Sequence, residues 1–344
     1  MDSYDENGAA KKGDFLCRLI ANSMTFLTLR EKKLFYERLA DSNSIEKDFL
    51  AMTIDDVSFA VKRGFSRVQW NPSEILRCVR LAEKIIGSLK IDSTCTLDSD
   101  FPAMLREMKD PPFMLFYRGN LETLKRKCVS VVGTRKASNS ALKAAMKFSQ
   151  EACDDGRCVI SGLAFGIDGA AHKGALLSQN SATAAILPSG IDMITPSSHT
   201  KLAQKILERQ GLVMSEYLPG TPSLQFRYVQ RNRIVAALSP ATVVIQAPGG
   251  SGAMITADLA LGYNREVFFH KECFSPEAGA INQLALAKLK SRPLTKRQIE
   301  SKIESTPKRY VEDGAKVISS YADFKAFQGS ARCADFRLSE KLNS

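Results

Sequence analysis

The chain has 344 residues, 44% of them hydrophobic and 25% charged, with a formal net charge of +11. That length exceeds one average domain and is enough to bury a core, so two domains, or one large domain with an added module, are expected. No apolar run is long enough to cross a bilayer, and the opening MDSYDENGAAKKGDF lacks the basic-then-apolar pattern of a leader, which points to the cytoplasm and away from membranes.

From Asp14 to Leu89 apolar residues recur at helical spacing: Phe15, Leu16, Leu19 and Ile20, then Leu34, Phe35 and Leu39, then Ile75, Leu76, Val79, Ile85 and Ile86. This predicts a bundle of short helices, assigned to an N-terminal module at 1–92. Asn71-Pro72-Ser73-Glu74 reads as a helix start, with proline in the first turn and an acid near the positive end of the dipole. A proline-rich connector follows, through Phe101-Pro102, Asp110-Pro111-Pro112 and Arg118-Gly119-Asn120.

From Val129 short apolar runs alternate with helical stretches. Strands are predicted at Val129–Val132, Cys158–Ile160, Ala182–Leu187, Leu212–Met214, Thr242–Gln246 and Glu266–Phe269, with helices near 138–153, 168–178, 198–210, 231–238 and 252–263. Apolar strands joined by crossover helices imply an α/β fold: an extended Rossmann-like, mostly parallel sheet with helices on both faces. The domain is assigned to 93–285, with its core at 129–270. The remainder, 286–344, is a basic insertion and tail without a winged-helix domain. Between Leu286 and Arg309 it carries Lys288, Lys290, Arg292, Lys296, Arg297, Lys302, Lys308 and Arg309 against only Glu300 and Glu304. Such a stretch is either a solvated face or a patch that tracks a nucleic-acid backbone.

In open parallel sheets ligands bind beyond the carboxyl ends of the strands, so the residues after each strand carry the functional information. The first strand is followed by Gly133-Thr134-Arg135-Lys136-Ala137-Ser138. Glycine allows close backbone approach, arginine and lysine suit phosphate, and Ser138 is placed to cap the next helix. Ser161-Gly162 follows the second strand, and Pro248-Gly249-Gly250-Ser251-Gly252 follows the fifth, a glycine loop of the kind whose amides form an anion nest. Between the fourth and fifth strands lies Gln230-Arg231-Asn232-Arg233, two arginines flanking an asparagine at the start of a short apolar helix. That set suits phosphates and a base edge together. Tyr217, Phe226 and Tyr228 lie upstream and are either core packing or base-stacking rings.

Several chemistries are excluded. The first turn has one glycine and two cations where a dinucleotide site needs G-x-G-x-x-G, and the second strand ends without the acid that holds a ribose. No Walker pattern occurs. The eight cysteines form no C-x-x-C pair and there are only three histidines, so neither zinc nor any other cofactor is expected, and the cysteines read as reduced thiols.

Taken together, Asp100-Phe101-Pro102, Asp110-Pro111-Pro112, Arg118-Gly119-Asn120, VVGTRKAS, ISGLAFGIDGAAHKGAL, ILPSGID, Ser215-Glu216-Tyr217, QRNRIVAALS and SGAMITADLA resemble the DNA-processing protein A family, DprA or Smf. The resemblance covers about half the chain. It implies an extended Rossmann domain behind a sterile-alpha-motif-like helical module, often as a homodimer. It further implies sequence-independent binding of incoming single-stranded DNA, which is protected and handed to the RecA recombinase in natural transformation. Carried over by position, Arg135 is the main phosphate ligand. Gly133, Thr134, Ser161, Gly162, Arg231, Asn232, Arg233, Ser251 and Gly252 complete the pocket, joined here by Lys136 and Gly250. Asp168 and His172 read as helix-start and packing residues. The chain departs from the family pattern at Thr195-Pro196, at His270-Lys271 and in the basic insertion at about 286–313.

The competing reading is an enzyme. The glycine loop also resembles the P-G-G-x-G-T-x-x-E signature of lysine-decarboxylase-like nucleotide hydrolases, whose chemistry needs a carboxylate near the sugar. Here the threonine position is Ala253, and Ile255 and Thr256 stand where acids are required. The phosphate cradle remains without the acid, so binding without catalysis is expected.

Overall fold

A computed structural model describes residues 6–291, 295, 300 and 303–328. The chain divides into two units, 1–118 with 188–193 and 214–224, and 119–187 with 194–213 and 225–344.

In the first unit the helical periodicity becomes five helices: α1 (Glu6–Ser23), α2 (Leu29–Ala40), α3 (Ile45–Ala51), α4 (Ile54–Val61) and α5 (Pro72–Leu89). Side chains written into the sequence close their ends. Thr28 with Glu31 and Thr53 with Asp56 form capping boxes, and Asn71 accepts from the Glu74 amide ahead of Pro72. Phe35, Phe49 and Trp70 meet edge to face at 6.4 and 5.7 Å in the interior. The connector contains regular structure that the sequence reading did not assign. β1 (Asp92–Cys95) pairs antiparallel with β2 (Met114–Gly119), with a short helix, α6 (Ala103–Arg106), between them. Four residues are too few to display alternation, so β1 has no sequence signature of its own. Arg18 of α1 pairs with Asp98 at 2.7 Å and Asp14 at 2.8 Å, tying that helix to the turn after β1.

The second unit alternates strand and helix: β3 (Cys128–Val132), α7 (Asn139–Asp154), β4 (Cys158–Ser161), α8 (Ile167–Ala175), β5 (Thr183–Ile186), α9 (Thr200–Glu208), β6 (Leu212–Ser215), α10 (Gln225–Ala237), β7 (Ala241–Val244), α11 (Gly252–Gly262), β8 (Glu266–His270), α12 (Pro276–Lys290), α13 (Pro307–Glu312) and β9 (Lys316–Ile318). The strand order is β6-β5-β4-β3-β7-β8-β9, and the registers from β5 through β9 are parallel. Strands β3 to β8 are buried along nearly their whole length, as their unbroken apolar runs require of a sheet covered on both faces. β9, at the end of the basic insertion, adds a strand to those read from the sequence.

Order reverses at β3. The chain leaving β3 turns toward β4, whereas β7 lies on its other side. This switch point places the loops after β3 and β7 next to one another at the carboxyl edge.

Candidate functional site

The loop after β3 is held by its neighbours. Thr134 donates its amide to Gln246 O at 2.7 Å, and Ile167 donates to Thr134 O at 3.2 Å. A β-carbon on Gly133 would strike Ile167, and one on Gly166 would strike the Thr134 carbonyl. Glycine at both positions is therefore a requirement of close packing. Ser138 caps α7, accepting from Ala141 N at 3.2 Å, while Gln246 accepts from the Ser138 amide at 2.9 Å. Arg135 and Lys136 project from this fixed loop and are exposed.

α10 connects the three loops. The Arg135 guanidinium lies over the Tyr228 ring, 4.7 Å from its centroid. One turn on, Arg231 fills the space that Gly162 leaves open. Asn232 donates Nδ2–H to Gly252 O at 3.2 Å, at the start of α11. Residues 228, 231 and 232 share one helix face, so a single element contacts the loops after β3, β4 and β7. α10 begins at Gln225, six residues ahead of the expected start, and Gln230–Arg233 therefore sits in its interior. Its first half carries no apolar stripe.

Three expected site residues, Ser161, Arg231 and Gly250, are enclosed or already engaged by the protein itself. Ser161 is fully buried, and its hydroxyl donates to Val131 O at 2.7 Å. Arg231 is 3% exposed, and its guanidinium lies against the buried Gly162. The amide of Gly250 is already spent on Ser305 O at 2.9 Å, beside Gly249 bonded to Asn282 Oδ1 at 2.8 Å. The third glycine loop is thus filled by the chain's own later segments and is not an open nest. Tyr217 belongs to the first unit, where its amide donates to Ser215 Oγ at 3.0 Å. Ser251 precedes α11, and its hydroxyl is buried without a hydrogen-bond partner among the described residues. Arg233 is half-buried, and Phe226 is exposed with the Arg227 guanidinium over its ring.

Asp168 and His172 lie behind the loops. Burial raises the Asp168 carboxyl above its ordinary range, against the opposing influence of Arg231, hydrogen bonds from the backbone of Ala164 and Gly162, and Arg135. Thr183 Oγ1 donates to Val159 O at 2.7 Å, so the Nδ1 of His172, 2.7 Å from that hydroxyl, must be the donor to it. Burial first, then the nearby His199 and Arg231, push the imidazole down to about 3. A neutral histidine fixed in one tautomer and a largely enclosed carboxylate form a packed support, in keeping with their reading as packing residues.

Residues 92–327 match the family model described as DNA recombination-mediator protein A. The chain belongs to that family. A Smf protein of Borreliella burgdorferi is 32% identical over 73% of this chain and 78% of its own length. The DNA processing protein DprA of Streptococcus pneumoniae is 40% identical over 52% of this chain and 62% of its own. The structure of the pneumococcal DprA superposes with a TM-score of 0.62 at 27% identity, over 90% of this chain and 95% of that one. A DNA processing protein A from Helicobacter pylori, whose structure is described for its single-stranded DNA binding mode, shares the fold at 23% identity with a TM-score of 0.55, over 70% of this chain and 97% of its own. No helix among the described residues is long and apolar enough to cross a membrane.

Several residues of the site were not singled out in the sequence. Gln246 ties the loop after β3 to β7, and a polar residue ending an otherwise apolar strand was its available signal. Asn282 and Ser305 act from far along the chain and carry none.

Proposed function

We propose that this chain is a recombination mediator that binds single-stranded DNA without sequence preference at the carboxyl edge of its second unit and passes it to a RecA-type recombinase, acting as a homodimer and without catalysis. The observation that carries this reading is Arg135, an exposed guanidinium held on a rigid glycine turn and stacked on Tyr228. An arginine so placed presents its fork to an accessible phosphate, and its aromatic partner restricts its motion beforehand. Lys136 adds a second cation, and the net charge of +11 favours encounter with a polyanion. Family membership supports the same reading, as does the single-stranded DNA binding described for the Helicobacter pylori protein.

Fluorescence polarisation of labelled oligo-dT at several salt concentrations tests it. Affinity falls steeply with salt, and Arg135→Ala weakens binding by about tenfold or more with no change in thermal stability. Salt-insensitive binding, or full binding by the variant, overturns the proposal. Co-precipitation of RecA with the DNA-bound protein, and light scattering of the free protein, test the two assembly claims separately.

A further inference from the structure

Beside Arg135, the loop after β3 borders a groove between α7 and α8 of about 410 Å3. That volume falls in the range of small-molecule pockets, about 300–1,000 Å3. The groove exists because its walls are cut back. Gly166, Gly169, Ala137 and Ala170 line it, and a β-carbon on Gly169 would stand 2.8 Å from Cε1 of His199. Leu142 and Met146 supply an apolar wall. Phe165, 49% exposed, meets His199 edge to face at 5.2 Å across the opening. Arg135, Lys136 and Lys173 are the charged residues of the lining, and no carboxylate is among them.

This combination has a specific chemistry. An apolar slot edged by an aromatic ring suits a flat heterocycle, and cations with no carboxylate beside them in the lining suit the phosphates on either side of it. His199 adds polar recognition. Its Nδ1 lies 2.8 Å from Leu163 O, which can only accept, so the proton is on Nδ1. In the neutral ring Nε2 is then an acceptor, with no hydrogen bond among the described residues, and every nucleobase presents an amino or imino N–H to such an atom.

We propose that the groove between α7 and α8 seats a nucleobase of the bound single strand, with Lys173 contacting a phosphate next to it. The DNA path then continues off the sheet edge and along the two helices. This inference rests on the single-strand reading above.

The test compares oligo-dT with the same oligomer carrying abasic sugars, using wild type, Phe165→Ala, Lys173→Ala and Arg135→Ala. Phe165 and Lys173 are exposed, so their removal leaves the fold intact, which thermal melting checks. Wild type binds oligo-dT about tenfold tighter than the abasic strand, as loss of a base stack requires. Phe165→Ala erases that preference and leaves abasic binding unchanged. Lys173→Ala lowers the slope of log affinity against log salt by about 0.7, one phosphate on a single strand. If Arg135→Ala loses binding while Phe165→Ala and Lys173→Ala behave as wild type, the groove is overturned and the single-strand reading stands. If wild type binds no oligomer, the single-strand reading fails and the groove falls with it.

Discussion

The guanidinium of Arg135 and the ring of Tyr228 form a stacked pair, 4.7 Å from guanidinium carbon to ring centroid. One partner sits on a strand-end loop and the other on α10, so the stack fixes the orientation of the cation before any ligand arrives. A cation–π contact at such a site contributes about 0.5–1 kcal/mol. Tyr228→Ala is therefore expected to weaken oligo-dT binding about two- to fivefold, and Tyr228→Phe, which keeps the ring, to bind as wild type. Polarisation titrations at fixed salt measure both. Equal binding by all three proteins removes the stack from the account.

Gly162 and Arg231 are matched in volume. Gly162→Ala places a methyl in the space of a buried guanidinium, and overpacking of this kind costs about 1–3 kcal/mol. Arg231→Ala removes the obstacle, so the double variant is expected to be more stable than the sum of the two single losses. Urea denaturation of the four proteins supplies the cycle. Simple additivity contradicts the packing described.

His172 makes stability depend on pH with a definite sign. Its folded value is about 3 against 6.5 for the free side chain, so between those values the unfolded state binds the extra proton. Stability from this group is complete above pH 6.5 and is lost as pH falls, by about 1.4 kcal/mol per unit once well below 6.5. Asp168, raised by burial, acts in the opposite direction at the acidic end. The difference between wild type and His172→Gln isolates the histidine. Urea midpoints at pH 7.5 and 5.5 are expected to drop more for wild type than for the variant, and parallel drops count against the assignment.

Asn282 holds the buried amide of Gly249. Asn282→Ala leaves that donor without its acceptor, a loss of about 1–3 kcal/mol, while Asn282→Asp retains an oxygen and recovers most of it. Urea denaturation of the two variants distinguishes this fastening from an incidental contact.

Much of the second unit was legible in the sequence because its strands are unbroken apolar runs and its helices start at readable signals, such as Ser138. The exposed position of Arg135 was legible for the same reason, as a cation directly after a strand and a glycine. The sequence was silent on what lies beneath a residue. Ser161 and Arg231 have the composition of phosphate ligands, yet one hydroxyl turns to Val131 and the guanidinium fills the space over Gly162. Gly250 has the look of an open nest, and only the path of a segment more than fifty residues later, at Ser305, shows it occupied. Local pattern reports what a side chain is able to do, and long-range packing decides whether it remains free to do it. β1 and the first turns of α10 were missed because short or mixed-polarity segments carry no period.

That α10 meets three loops through Tyr228, Arg231 and Asn232 has a consequence for how this region tolerates changes in length. Adding one residue between Tyr228 and Arg231 turns the tyrosine by about 100° against the rest of the helix if the helix stays anchored at its apolar end. The tyrosine leaves its arginine while Arg231 and Asn232 keep their places. Adding one residue after Asn232 instead displaces all three contacts together, with every strand untouched. Point substitutions weaken these loops one at a time, but a frame-preserving insertion at that second position uncouples them in a single step. Such insertions should be the changes this helix tolerates least.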